Sequence, residues 1–187
     1  MSTSAAAPGR LELVRRFVNT VDIEAGEDQL ASVAGFADWL REAGLLEAVP
    51  AVTDTDRRSV IAVREALRDL LRANHDGNSV PPDSVRILDD AARSLAISFP
   101  ATGGWRLAPR EGGVAGAVGR LLAAVVEAMA EGTWHRLKVC ANDACAWAFY
   151  DRSRARSGRW CSMSVCGNRA KQRAWRTRRP ADRSTST

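Results

Sequence analysis

The chain has 187 residues, 45% of them apolar and 26% charged, the proportions of a globular protein of one domain with room for a small appendage. That balance excludes disordered, collagenous and fibrous classes. The net charge of +5 hides a segregation, because residues 134–179 hold 12 Lys and Arg against two acids while residues 1–133 hold 14 Arg against 19 acids.

Residues 1–9, ending Ala-Pro-Gly, read as a disordered tail. They lack the basic start and apolar run of a secretory signal, so a cytoplasmic address with reduced thiols is expected. Apolar residues at Leu11, Val14, Phe17 and Val18 predict a first helix. Asp28 is expected to cap a second, which carries Leu30, Val33, Ala37 and Leu40 on one face and ends at Gly44. A third begins near Thr55, presents Val60, Val63, Leu67 and Leu70, and closes at His75-Asp76-Gly77. Pro81-Pro82-Asp83 opens a fourth, with Val85, Leu88, Ala92 and Leu95 as its stripe. The period then changes to two: Ile97 and Phe99, then Trp105 and Leu107, predict a short hairpin around Thr102-Gly103-Gly104. A long helix follows over about Val114–Glu131. Arg120 and Glu127 interrupt it, leaving it short of the roughly 20 apolar residues of a membrane span, so no membrane association is expected. Gly132-Thr133 ends this helical body, residues 10–133.

Three polar features of the body stand out: Asn19-Thr20, Trp39 and Trp105. The plainer reading gives Asn19-Thr20 a helix-end or buried hydrogen bond. The sharper one joins Asn19, Thr20, Trp39 and Trp105 in a pocket for a small-molecule effector. A body of this kind serves as a sensor or as the dimerisation domain of a homodimer. No catalysis is expected. His75 and His135 lie in no motif with a nucleophile, Asp89 and Asp90 point to different faces of one helix, and no glycine loop is built to cradle phosphate.

All four cysteines fall in the last third, as Cys140-x4-Cys145 and Cys161-x4-Cys166 around a 15-residue loop. Two close pairs form two knuckles, and two knuckles complete the tetrahedron of a structural Zn2+ site with no position left open for water. A reducing compartment disfavours two disulfides. An iron–sulfur cluster stays open, because thiolates alone do not select the metal. Trp134, Trp147, Phe149, Tyr150 and Trp160 are expected to form a miniature core around the ion, and residues 134–179 to unfold without it.

After Cys166-Gly167 the chain runs from Asn168 to Arg179 without Gly or Pro, until Pro180 stops it, and predicts a helix. Gly167 is expected to take an unusual backbone angle and Asn168 to be the N-cap. Arg169, Arg173 and Arg176 then share one face, with Lys171 nearby and Trp175 off it. Such a helix braced by a metal site can enter a major groove or grip phosphates, while Arg152, Arg154, Arg156 and Arg159 in the inter-knuckle loop add phosphate contacts. DNA is the expected partner. RNA stays open, since aromatic residues interleaved with arginines can stack unpaired bases. A zinc-stabilised protein-interaction module, with the arginines merely solvated, is the alternative. Residues 180–187 read as a second tail.

The runs Arg136–Cys140, Cys145–Asp151, Arg159–Met163 and Cys166-Gly167-Asn168-Arg169-Ala-Lys171 resemble the CGNR zinc finger, named for that tetrapeptide. Phe17-Val18-Asn19-Thr20, Trp39-Leu40 with Gly44-Leu45-Leu46, and Arg64–Leu71 resemble the helical ABATE domain that usually precedes it. The resemblance implies zinc ligation by Cys140, Cys145, Cys161 and Cys166, and a bacterial stress-related transcription regulator that binds nucleic acid. The x4 spacing of the first pair is wider than a tight knuckle. The expected architecture is mainly α: a helical N-terminal domain with one short β-hairpin, then a four-cysteine zinc module at 134–179 ending in a basic helix.

Overall fold

The computed structural model describes residues 6–46 and 52–178, with the side chain of Arg178 left out. Residues 1–5 and 180–187 of the expected tails, and Arg179, lie outside them. Within the first tail, Ala7 is buried and its N–H donates to Glu12.

Helix α1 (Leu11–Val18) buries Leu11, Val14, Phe17 and Val18. A hairpin of two short strands, β1 (Val21–Asp22) and β2 (Glu27–Asp28), follows where none was expected. Asp28 is therefore a strand residue and caps nothing. Ser32 caps α2 (Val33–Glu42) instead, its Oγ accepting from the Gly35 N–H at 3.0 Å. The carboxylate of Asp28 goes to a buried guanidinium, a stronger demand than a helix end. Helix α3 (Asp54–Asp76) starts in a capping box of Thr53 with Asp56 and stops at Gly77 in the left-handed conformation.

Helix α4 (Pro82–Ala92) opens at its prolines as read, but Val85 is 43% exposed and Leu88 only half-buried, so its stripe is not core. Strands β3 (Leu95–Ser98) and β4 (Arg106–Pro109) form the expected hairpin, with Ile97 opposite Leu107. Helix α5 (Gly113–Ala130) is the central core helix, packed on α1, α4 and β4. Its mean hydropathy of 1.6 over 18 residues meets a bilayer's demands of length and composition, more than the interruption by Arg120 and Glu127 suggested. Arg120 is absorbed by the Leu45 carbonyl and Glu127 by Arg10 at 2.9 Å.

The C-terminal part holds a short 3₁₀ turn (Trp134–Arg136), antiparallel β5 (Leu137–Val139) and β6 (Ala148–Tyr150), a π-helical turn (Met163–Gly167) and α6 (Asn168–Arg178). The core does not stop at residue 133. Trp134, Leu137, Val139 and Ala148 belong to the same buried cluster as Val14, Leu71 and Leu121. The expected aromatic core is only partly realised: Trp134 joins the body's core and Tyr150 packs against it, Trp147 and Trp160 are only half-buried, and Phe149 is the one of the five buried outside that cluster. A segment of this size cannot enclose a core of its own. Each large apolar side chain it buries against the body contributes about 1.5–3 kcal/mol.

Candidate metal centre and basic helix

Strands β5 and β6 carry the first knuckle. The Cys140 N–H donates to the Trp147 carbonyl at 2.9 Å, and the N–H groups of Cys145 and Ala146 both reach the Asn142 carbonyl at 2.8 and 2.9 Å. Ala146 closes this turn with φ +43°, a conformation costly for a residue with a Cβ. The Ala141 N–H reaches the Arg159 carbonyl at 2.9 Å and draws in the second knuckle. Cys166 stands on the π-helical turn, which the Gly167 N–H closes onto the Ser162 carbonyl at 3.0 Å.

The four sulfurs lie within 4.8 Å of one another. Cys145 and Cys161 Sγ are 3.7 Å apart, and Cys161 and Cys166 Sγ 3.8 Å. A tetrahedron with Zn–S bonds of about 2.3 Å has sulfur–sulfur edges of about 3.8 Å, so the donor set fits zinc. The spacing is far beyond the roughly 2.05 Å of a disulfide. Hydrogen bonds from neighbouring thiols lower Cys140 to about 2, and the same contacts push Cys145 up to about 12 and Cys161 further in that direction. Four thiolates this close need a dication among them. The chain holds one structural zinc ion here, with every position filled by Cys140, Cys145, Cys161 and Cys166.

The loop between the knuckles is built around one buried carboxylate. Asp151 accepts from Lys138 Nζ at 2.9 Å and from the N–H groups of Ser153 and Gly158 at 2.9 and 2.8 Å. Burial raises this acid, but the hydrogen bonds from Ser153 and Lys138 outweigh it and hold Asp151 well below the ordinary carboxylate range. Gly158 is needed for the approach, since a Cβ there would sit 2.8 Å from Asp151 Cγ. Outside this arch, the side chains of Arg154 and Arg156 are exposed. Arg152 donates to the Ala6 carbonyl at 2.7 Å, and Arg159 stacks over Trp160 at 5.5 Å.

Helix α6 differs from its expected start. Asn168 is already helical, and its side-chain amide donates to the Ser164 carbonyl at 3.1 Å, so it is not the N-cap. Gly167 keeps an ordinary φ and is small for another reason: a Cβ would lie 2.7 Å from Met163 Sδ and 3.3 Å from Trp160. The arginine row is divided. Arg169 pairs with Glu24 of the β1–β2 turn at 2.5 Å, and Arg173 donates to Asn142 Oδ1 at 3.3 Å. Lys171 and Arg176 are exposed and make no ion pair among the described residues, and Trp175 is 57% exposed. Between the β1–β2 turn and the cysteines lies a cleft of about 350 Å3 bordered by Glu24, Trp147 and Arg169.

The structure does not bring the four proposed pocket residues together. Asn19 bonds both backbone groups of Ala148, at 2.7 and 2.9 Å, extending the edge of β6. Thr20 donates to the Phe17 carbonyl at 2.9 Å and accepts from Arg64 at 3.0 Å. Trp39 is buried against Phe17, with ring centroids 5.2 Å apart. Trp105 stands on the hairpin, 53% exposed. Asn19 and Thr20 are thus both engaged in buried hydrogen bonds.

Two residues the sequence reading passed over tie the body to the metal centre. Arg64 and Arg68, one turn apart on α3, are each 3% exposed. Arg64 grips Asp28 with two bonds of 2.7 and 2.9 Å. Arg68 donates to the Val18 carbonyl at 2.6 Å and to the Ala146 carbonyl, inside the first knuckle, at 2.8 Å. Asn74 adds bonds to the carbonyls of Trp134 and Leu137 at 3.1 and 3.0 Å. The available signal was position: both arginines stand four and eight residues after Val60, on a helix side otherwise apolar.

Residues 136–179 match the family model described as "CGNR zinc finger", and residues 11–133 match the ABATE model, described as "Putative stress-induced transcription regulator". Among curated proteins no match was found.

Proposed function

This chain belongs to the ABATE family and carries a CGNR zinc finger, and from that premise we propose that it is a DNA-binding regulator of transcription in bacteria, acting in the cytoplasm. The observation that carries the reading is the density of cations on the zinc-braced segment: Arg154, Arg156, Lys171 and Arg176 are exposed and without ion pairs among the described residues. Residues 134–179 have a net charge of +10, the footprint of a phosphate-binding surface. The zinc ion fixes α6 against the knuckles, so the cations are held in a set relation to one another. Phosphate contact is its principal mode. Base reading by Arg169 or Arg173 requires each to leave Glu24 or Asn142, partners that already hold them. The loop arginines Arg152 and Arg159, with Asn168, contribute at the edges. The ion is structural on this reading, with no open coordination position, and the chain is not an enzyme. The body's part is to join two copies, so that paired fingers meet DNA at a fixed spacing.

The test is retention of pooled genomic DNA fragments on zinc-loaded protein across a salt series, followed by sequencing of what stays bound. A shared motif that survives near physiological salt is the expected result. With about seven phosphate contacts, log K falls with log salt at about −0.9 per contact. Lys171→Ala and Arg176→Ala should each lower affinity across all sequences and reduce that slope by about one. An isotherm unchanged in both variants removes the helix from the interface. Motif-free retention that vanishes with salt, or stronger binding of single-stranded RNA, favours the RNA-binding or interaction module instead.

A further inference from the structure

A protein that selects one DNA sequence needs a side chain that touches base edges, since phosphate contacts carry no sequence information. Arg169 and Arg173 are held by Glu24 and Asn142. The faces of α6 point to a different residue. Ala170 and Ala174 are half-buried and mark the side of the helix turned toward the rest of the chain. At about 100° per residue, each stands about 160° round the helix from Gln172, one on either side. Gln172 is exposed and forms the crest of α6, directed away from the fold. Cations flank this crest. Arg176 stands about 40° to one side and Lys171 about 100° to the other. Both are exposed and without ion pairs among the described residues. A helix of this layout suits the major groove of a duplex: its crest meets the floor, where base edges lie, and its flanks meet the phosphates of the two walls. The deep, narrow major groove of an RNA duplex does not admit side chains in this way. Duplex DNA is the partner that fits.

The chemistry of the crest narrows the target further. Two carboxamides stand there one turn apart, Asn168 and Gln172. Asn168 turns its amide nitrogen back to the Ser164 carbonyl at 3.1 Å, which ties that side chain to the helix. The carboxamide of Gln172 bonds no other group among the described residues, so its donor and its acceptor are both available. A donor beside an acceptor matches adenine, whose major-groove edge presents the N6 amino group next to the N7 acceptor. Guanine presents two acceptors there, which suit a guanidinium or an ammonium instead. We propose that Gln172 sets the sequence preference of the chain by reading one adenine in the major groove, with its Oε1 accepting from the N6 amino group and its Nε2 donating to N7. The proposal rests on the DNA-binding reading above and adds to it the base that is read and the side chain that reads it.

Selection from pooled genomic fragments with the full zinc-loaded chain and two variants, Gln172→Ala and Gln172→Arg, tests it. Both substitutions fall at an exposed position and introduce good helix formers, so zinc content and the circular dichroism spectrum should match wild type. The wild-type motif should contain one A·T pair to which Gln172→Ala becomes indifferent. That variant should lose about tenfold in affinity for the selected site, with an unchanged salt slope, because no phosphate contact is removed. Gln172→Arg should turn the preference at the same position to G·C, since a guanidinium pairs with O6 and N7 of guanine. A motif that persists unaltered in both variants overturns the proposal and leaves DNA binding standing. Motif-free retention by wild type overturns it as well, leaving phosphate contact alone. Failure of wild type to retain duplex DNA even at low salt defeats the DNA-binding reading itself, and this proposal with it.

Discussion

Arg68 sits where α1, α3 and the first knuckle meet, and satisfies two carbonyls that would otherwise be buried without a donor. Replacing it with Ala should cost about 3–5 kcal/mol, because two acceptors lose their partner in the interior. Arg68→Lys should recover only part, since an ammonium lacks the planar fork that spans both carbonyls. Urea denaturation of the three proteins checks the order. Asp151 offers a test of sign. Its carboxyl titrates below the ordinary aspartate value of 3.8 in the fold, so its contribution is complete above about pH 4 and is lost as pH falls through the folded value. The stability gap between wild type and Asp151→Asn should therefore be widest near neutral pH and shrink in acid. A gap that widened as the pH dropped would contradict the assignment. At this scale the ligands were legible because four cysteines in two equal pairs have few other uses. Arg64 and Arg68 were not. An arginine in an apolar stripe reads as a snorkelling surface residue until the carbonyls it meets are known.

Elements with strong punctuation could be read in advance, and those without it could not. Thr53 and Gly77 bracket α3, and the two prolines open α4. Strands of two or three residues such as β1, β2, β5 and β6 are too short to display a period; β5 packs on α3 and β6 on α1, and Asp28 of β2 is held by Arg64 of α3. The π-helical turn before α6, closed by the Gly167 N–H on the Ser162 carbonyl, carried no signal in the sequence either. Cys161→Ser removes a ligand from the middle of that set. Zinc content should fall well below one per chain, and the amides of β5, β6 and α6 should lose hydrogen-exchange protection. Full occupancy in that variant would contradict the four-ligand site. Gly158→Ala acts at longer range: the new Cβ displaces Asp151 from Lys138, so the loop should exchange faster while zinc stays bound.

For the whole molecule, composition correctly divided an acidic part from a basic one, but the charge boundary is not a packing boundary. Trp134, Leu137, Val139 and Ala148 complete the core begun by α1, α3 and α5. Removing zinc should therefore weaken more than the last third. Chelation is expected to lower the melting temperature of the entire chain in one transition, with free zinc raising it by mass action. Calorimetry with and without chelator decides this. A body that melted at its holo temperature after chelation would show that the two parts are energetically separate.

The bonds that cross residue 133 also bear on how such a chain can change over generations. Asn19 and Ala148, Arg68 and Ala146, and Asn74 and Leu137 are partners drawn from the two matched regions. A finger recombined onto a foreign body would arrive with its thiolates intact and its carbonyls unclaimed. Exchanging either region alone therefore breaks bonds on both sides of residue 133, although the metal-binding sequence reads as a self-contained cassette.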